Sequence, residues 1–154
     1  MSSSQKLTDF LAERAVEAEF VLLPSGASTV AQAAAALNVS PERIVKSLLF
    51  MVGEKPVLVI ASGPSRVDTT RLAAYFEAPV VQVRLARPDE VRRITGFDVG
   101  SVPPLGHDPE LCILIDPAVL QFDVVYAGGG AVDQLLRLSP GVILAETGAD
   151  VVAL

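Results

Sequence analysis

Lys46 interrupts the apolar run Ile44-Val45-Lys46-Ser47-Leu48-Leu49-Phe50-Met51-Val52, which otherwise has the composition of a buried strand. Strand side chains alternate between faces, so Lys46 shares one face with Leu48, Phe50 and Val52, a surface that offers an ammonium no local partner. A desolvated, unpaired charge is costly. Either the lysine stem carries its head to water, or the head looks into a cleft that receives an anion. Further along, Gly100-Ser101-Val102-Pro103-Pro104-Leu105-Gly106 excludes regular structure, because its prolines lack an N–H and fix φ. It is a shaped loop, and His107 follows it directly. His107 is a candidate general base, although no Ser, Cys or Asp stands with it in a nucleophile arrangement; a histidine that stabilises the loop is the other reading. Gly128-Gly129-Gly130 offers backbone amides to a phosphate, yet lacks the Lys-Ser/Thr ending of a P-loop and the GxGxxG pattern, so it also fits a flexible turn. Asp133, just beyond, either faces the same cleft or is a solvated loop acid.

The chemistry these residues can perform is bounded by composition. With 154 residues, 51% hydrophobic and 19% charged, the chain is expected to form one domain, 1–154, around a continuous core. A net charge of -6 argues against a broad basic surface for duplex DNA or an anionic membrane, so a polyanion has to be gripped locally. No uninterrupted apolar run approaches the roughly 18 residues of a spanning helix. Met1 to Ala15 lacks the apolar centre of a signal peptide, so a cytoplasmic location is the expectation. The one cysteine, Cys112, lies in the apolar run Leu111 to Ile115, and with a single histidine there is no cluster of His and Cys ligands. No cofactor is expected.

The elements that must position these residues follow from periodicity. Leu7, Phe10, Leu11, Ala15 and Ala18 give an amphipathic helix over Lys6–Ala18. A short strand at Phe20–Leu23 ends in Pro24-Ser25-Gly26. A helix capped by Ser28 or Thr29, with Gln32 placed as in a capping box, runs to Leu37, and Ser40-Pro41-Glu42 starts a short turn into the Lys46 strand. Gly53 to Pro56 turns that strand back into Val57–Ala61. Next come a helix from Asp68 or Thr69 to Phe76, a strand at Val80–Val83, a helix from Pro88 to near Gly96, strands at Leu111–Ile115 and Asp123–Ala127, an extended Gln134–Leu138, and a last helix opened by Ser139-Pro140. Helices interspersed with strand pairs predict an α/β (α+β type) fold with a mixed sheet rather than a doubly wound parallel one.

Thr29 to Val45 also has the outline of a helix-turn-helix. After Ser40, however, the segment turns β-rich and apolar where a recognition helix needs base-reading side chains. Neither duplex DNA nor a membrane is an expected partner.

In this order, the small-residue helix and Ser-Pro turn into a Lys-bearing strand, Arg66-Val67-Asp68 before a helix, the GxxxP loop at Gly100–Pro104, the glycine-rich strand end and Leu138-Ser139-Pro140 resemble the YbaK family. These are freestanding relatives of the editing domain of bacterial prolyl-tRNA synthetases, and the resemblance covers essentially the whole chain. It implies a mixed, largely antiparallel or barrel-like sheet surrounded by helices. It also implies hydrolysis, in trans, of the ester of a mischarged aminoacyl-tRNA, such as prolyl-tRNA carrying alanine or cysteine. The implied partners are the tRNA 3′ acceptor end and prolyl-tRNA synthetase. By the same resemblance Lys46, Gly100 and Ser101 form the catalytic set, with Lys46 engaging the tRNA end and the loop lying beside the aminoacyl group. Phe20, Ser47, Phe50, Val102, Pro103, Pro104, His107, Gly128, Gly129 and Asp133 are expected to bind substrate. Phe20 stands near where cysteine-editing members carry a tyrosine, which leaves the edited amino acid open. An ester is already activated toward water, so a site can work by positioning that water and stabilising the oxyanion, with help from the substrate's own ribose hydroxyl. A module that only captures acceptor ends or a synthetase is the alternative.

Overall fold

The computed structural model describes residues 2–154. Helix α1 spans Ser3–Glu13 and is capped by Ser2, whose side chain accepts from the Gln5 N–H. It ends short of the expected Ala18 because Ala15 takes a positive φ of 51° and the Val16 N–H reaches back to the Leu11 carbonyl, reversing the chain into β1, Ala18–Leu22. Helix α2, Val30–Leu37, carries the expected capping box between Thr29 and Gln32 and stops at Asn38, which is left-handed at φ 56°. A single 3-10 turn, Pro41–Arg43, then leads into β2, Val45–Val52. A strand therefore stands where a helix-turn-helix would place its second helix.

Strand β2 pairs with β3, Lys55–Ser62, across the two-residue turn Gly53-Glu54. After α3, Thr69–Tyr75, the expected strand at Val80–Val83 is displaced: Pro79 opens a 3-10 turn over Val80–Gln82, and β4 occupies Val83–Leu85. Helix α4 covers Pro88–Thr95, β5 Cys112–Ile115, β6 Val125–Gly128, β7 Gln134–Leu138 and α5 Pro140–Thr147. A two-residue strand, β8 at Asp150–Val151, was not anticipated.

The strands form two sheets rather than a closed barrel. One is antiparallel, in the order β1-β7-β6; the other runs β4-β2-β3-β5-β8, antiparallel through β4, β2 and β3 and parallel through β3, β5 and β8. Alternation along β2 and β3 divides the core. Val45, Leu49, Met51, Leu58 and Ile60 join Leu7, Leu11, Val125, Ala127 and Leu136 in the main core. Phe50, Val52, Val57 and Val59 face the other way, against Leu72 and Ala73 of α3.

Candidate functional site

The sheet is incomplete along one edge of β2. Strand β4 pairs only with Phe50, Met51 and Val52, and its last contact is the Ala86 N–H donating to the Leu49 carbonyl at 2.9 Å. On the other side β6 touches β2 through one isolated bridge, Ile44 to Tyr126. Between these contacts lies a cleft of about 460 Å³, a size common for small-ligand sites. Its walls come from Lys46, Ser47 and Leu49 of β2, Leu85, Ala86 and Val91 around the start of α4, Gly100 and Val102 of the loop, and Gly128 and Gln134 of β6 and β7. Among the described residues that line it, Lys46 carries the only charge.

The Lys46 ammonium does have local partners, contrary to expectation: it donates to the Gly63 carbonyl at 3.0 Å and to the Ser65 carbonyl. The turn after β3 folds over the lysine. It comes that close because residue 63 is glycine, whose Cβ would lie 2.6 Å from the Ile44 carbonyl oxygen. Carbonyls leave the charge uncompensated. Partial burial lowers the Lys46 pKa, and the nearby Arg66 guanidinium lowers it further. Neither Lys46 nor Arg66 has a carboxylate within salt-bridge distance among the described residues.

On the facing wall Gly100 has φ +89° with open space where a Cβ would be. Ser101 is buried, and its N–H and hydroxyl both donate to the Asp98 carbonyl, at 3.0 and 2.9 Å. Ser101 is expected in the catalytic set with Lys46 and Gly100; in the structure it is not among the residues lining the cleft, and its N–H and hydroxyl are both engaged in holding the loop. Pro103 and Pro104 are buried behind that loop. His107 sits 2.7 Å from the Pro103 carbonyl through Nε2; since a carbonyl only accepts, Nε2 carries the proton. Its ring meets Phe97 edge to face, Nδ1 is buried without a partner, and burial lowers its pKa. The loop-stabilising reading of His107 fits this placement.

The glycine run is also accounted for by packing. A Cβ on Gly128 would overlap the Val102 carbonyl oxygen, and the Gly130 N–H donates to the Ser101 carbonyl at 2.9 Å. These glycines let the loop dock on the end of β6.

Of the residues expected from the sequence, the cleft brings together Lys46, Ser47, Gly100, Val102 and Gly128. Phe20 packs onto the main core from β1, and Phe50 lies on the opposite sheet face toward α3. The Gly129 carbonyl accepts from Gln134 Nε2, and the exposed Asp133 is tied by its carbonyl to the Leu23 N–H. Thr29, Leu85, Ala86, Val91, Val99, Val132 and Gln134 were not foreseen. They are ordinary core or rim types, and nothing in their local pattern marks a cleft.

Comparison with known proteins gives this geometry a context. A profile for the aminoacyl-tRNA editing domain matches residues 24–144. The proline–tRNA ligase of Geobacillus thermodenitrificans is 38% identical over 107 residues, 70% of this chain but 18% of that ligase, so the chain spans under a fifth of the enzyme's length. An uncharacterized protein of Bacillus subtilis, YwhH, is 33% identical over 75% of this chain and 73% of its own. A crystal structure described as a proposed trans-editing enzyme for prolyl tRNA synthetase superposes with a TM-score of 0.89 at 34% identity, covering 99% of this chain and 96% of that one. With a profile match over most of its length and the fold of a trans-editing domain, the chain belongs to the aminoacyl-tRNA editing domain family.

Proposed function

We propose that the chain is an aminoacyl-tRNA deacylase acting in trans, with tRNA(Pro) mischarged with a small amino acid such as alanine or cysteine as its substrate. The observation that carries this reading is the shared cleft: Lys46 on one wall and Gly100 on the other border one apolar space. Lys46 and Arg66, with no carboxylate beside them, anchor a phosphate of the single-stranded 3′ end. The aminoacyl group then enters the cleft beside Gly100, where no side chain stands in the way.

In the reaction a water oxygen bonds to the ester carbon and the resulting oxyanion collapses. The bond to the ribose oxygen breaks, that oxygen takes a proton, and the amino acid leaves as its acid. No side-chain nucleophile is needed, and the cleft lining supplies neither carboxylate nor histidine. Proton movement is therefore assigned to water and the neighbouring ribose hydroxyl. The -6 net charge limits the grip on tRNA to about one to three phosphates, hence a shallow salt dependence.

Multiple-turnover deacylation of tRNA(Pro) charged with Ala, Cys, Ser or Thr, comparing wild type with Lys46→Ala, tests this. Release above the spontaneous rate, weakened in the variant, is expected. Tight binding of the charged tRNAs with no release from any of them would make the chain a binder of acceptor ends, and the deacylase reading would fall.

A further inference from the structure

Hydrogen bonding along β2 has a fixed sense. The Ala86 N–H reaches Leu49, and the Gly53 N–H reaches the Gln82 carbonyl, so the backbone groups of odd-numbered residues point away from β3. Ile44, an even position, accepts instead from Gly63 on the β3 side. Ser47 is odd. Its N–H and C=O leave β2 toward the side where β4 has already ended and where β6 makes only its bridge at Ile44, so no strand pairs with this point of the edge. Ser47 lines the cleft there, and its hydroxyl is buried without a hydrogen-bond partner, an unmet demand in an otherwise apolar wall.

An antiparallel bridge needs an N–H and a C=O separated by a single Cα. An aminoacyl ester has that arrangement, because its α-amino group and its carbonyl flank one carbon. We infer that the aminoacyl group binds as a one-residue strand on the open edge of β2 at Ser47, its ester carbonyl accepting from the Ser47 N–H and its α-amino group donating to the Ser47 carbonyl. The inference rests on the deacylase reading and specifies what its cleft recognises. The Ser47 N–H becomes a donor to the developing oxyanion, and the Ser47 carbonyl selects for an amine without any carboxylate in the cleft. In such a bridge facing side chains lie on the same side of the sheet, so the substrate's side chain is brought beside the Ser47 hydroxyl, among Val45, Leu49, Ala86 and Val102.

The test uses whichever aminoacyl-tRNA wild type cleaves fastest and its deamino analogue, propionyl-tRNA for alanyl-tRNA, each rate divided by its spontaneous rate. Acceleration at least about tenfold greater for the amine-bearing ester is expected, the scale of the one hydrogen bond from a charged donor that the analogue lacks. Equal acceleration of both overturns the inference while leaving the deacylase intact; no acceleration of any ester overturns both. Ser47→Pro removes the N–H at an edge position where proline is tolerated, and Ser47→Ala keeps both backbone groups. Folded Ser47→Pro is expected to fall at least tenfold below Ser47→Ala in kcat/KM, and parity between the two overturns the inference. If Ser47→Pro does not fold, the wild-type comparison decides alone.

Discussion

The loop from Gly100 to His107 and the edge of β2 from Lys46 to Leu49 face each other across the cleft, and their polar groups are spent differently. In the loop Ser101 is bonded to Asp98 and Gly130, His107 to Pro103, and the prolines are buried. On β2 the Ser47 hydroxyl is unpartnered, and Lys46 holds two carbonyls that leave its charge unbalanced. One wall uses its hydrogen bonds to fix a shape, and the other keeps them for something that arrives. A preorganised shape facing unmet donors and acceptors is how a site binds without reorganising.

The sharpest way to break the comparison is to unseat the rigid wall. Gly128→Ala puts a methyl group into the Val102 carbonyl, backbone against backbone, so the loop must move. A stability loss of about 1–3 kcal/mol is expected from overpacking. Deacylation is expected to drop about a hundredfold, since a displacement near 1 Å costs that much in a positioned site. Urea titration and single-turnover rates read the two effects. Near-normal turnover in a destabilised variant would mean that the loop's exact seat is irrelevant to catalysis.

On the other wall, Lys46→Ala removes a charge and leaves the strand in place. About a tenfold rise in KM is expected, with the slope of log affinity against log salt falling by about 0.7, one single-strand phosphate. A loss confined to kcat would reassign Lys46 to securing the Gly63–Ser65 turn and would erase the contrast between the walls.

The two walls were unequally legible in the sequence. Lys46 announced itself because a cation in an apolar strand is anomalous, and the proline-rich loop because proline and glycine exclude regular structure. Caps were equally plain: Thr29 with Gln32, Asp68, and Ser139 with Pro140 start the helices expected of them. What stayed hidden was sheet pairing. That β4 stops at Leu85, leaving Ser47 unpaired, depends on Pro79 shifting a strand by three residues and on which distant segments meet. Phe50, expected to bind substrate, shares a strand with Ser47 but points to the other face, toward α3. The engagement of Ser101 within the loop was hidden because a sequence shows a hydroxyl but not the carbonyl it meets, and Gly128 lines the cleft while also giving the Val102 carbonyl room.

A smaller effect separates the walls by pH. His107 is buried and its pKa is lowered, so in acid the unfolded chain binds a proton that the folded chain does not. Its contribution is complete above the ordinary histidine range near 6.5 and is lost as pH falls below it. Glu90, gripped by Arg84 and by the Arg87 N–H at the cleft's β4 side, has its pKa lowered to about 2, so its contribution is kept down to about pH 4.5 and lost below that. Urea midpoints are expected to fall first as the pH drops below about 6.5 and again below 4.5. His107→Leu should flatten the first step and leave the second. An unchanged first step would show that His107 is already charged in the folded loop, which its single carbonyl partner and buried Nδ1 argue against.

The smallest predicted effect asks whether stability and the cleft can be separated at all. Ser139 caps α5 by accepting from the Val142 N–H at 3.2 Å, with Pro140 at the first helical position and Ile143 in the main core. None of these residues lines the cleft. Ser139→Ala is expected to cost about 1 kcal/mol, as loss of an N-cap does, and to leave kcat/KM within about twofold. Because Pro140 already presets the helix start, the cost should come from one unsatisfied N–H and not from unravelling of the helix. Thermal unfolding and deacylation measured on the same sample decide it. If turnover falls in step with stability, the loop wall takes its rigidity from the whole core and not from its own bonds at Ser101, His107 and Gly130, and the contrast between a self-locked wall and an open one fails.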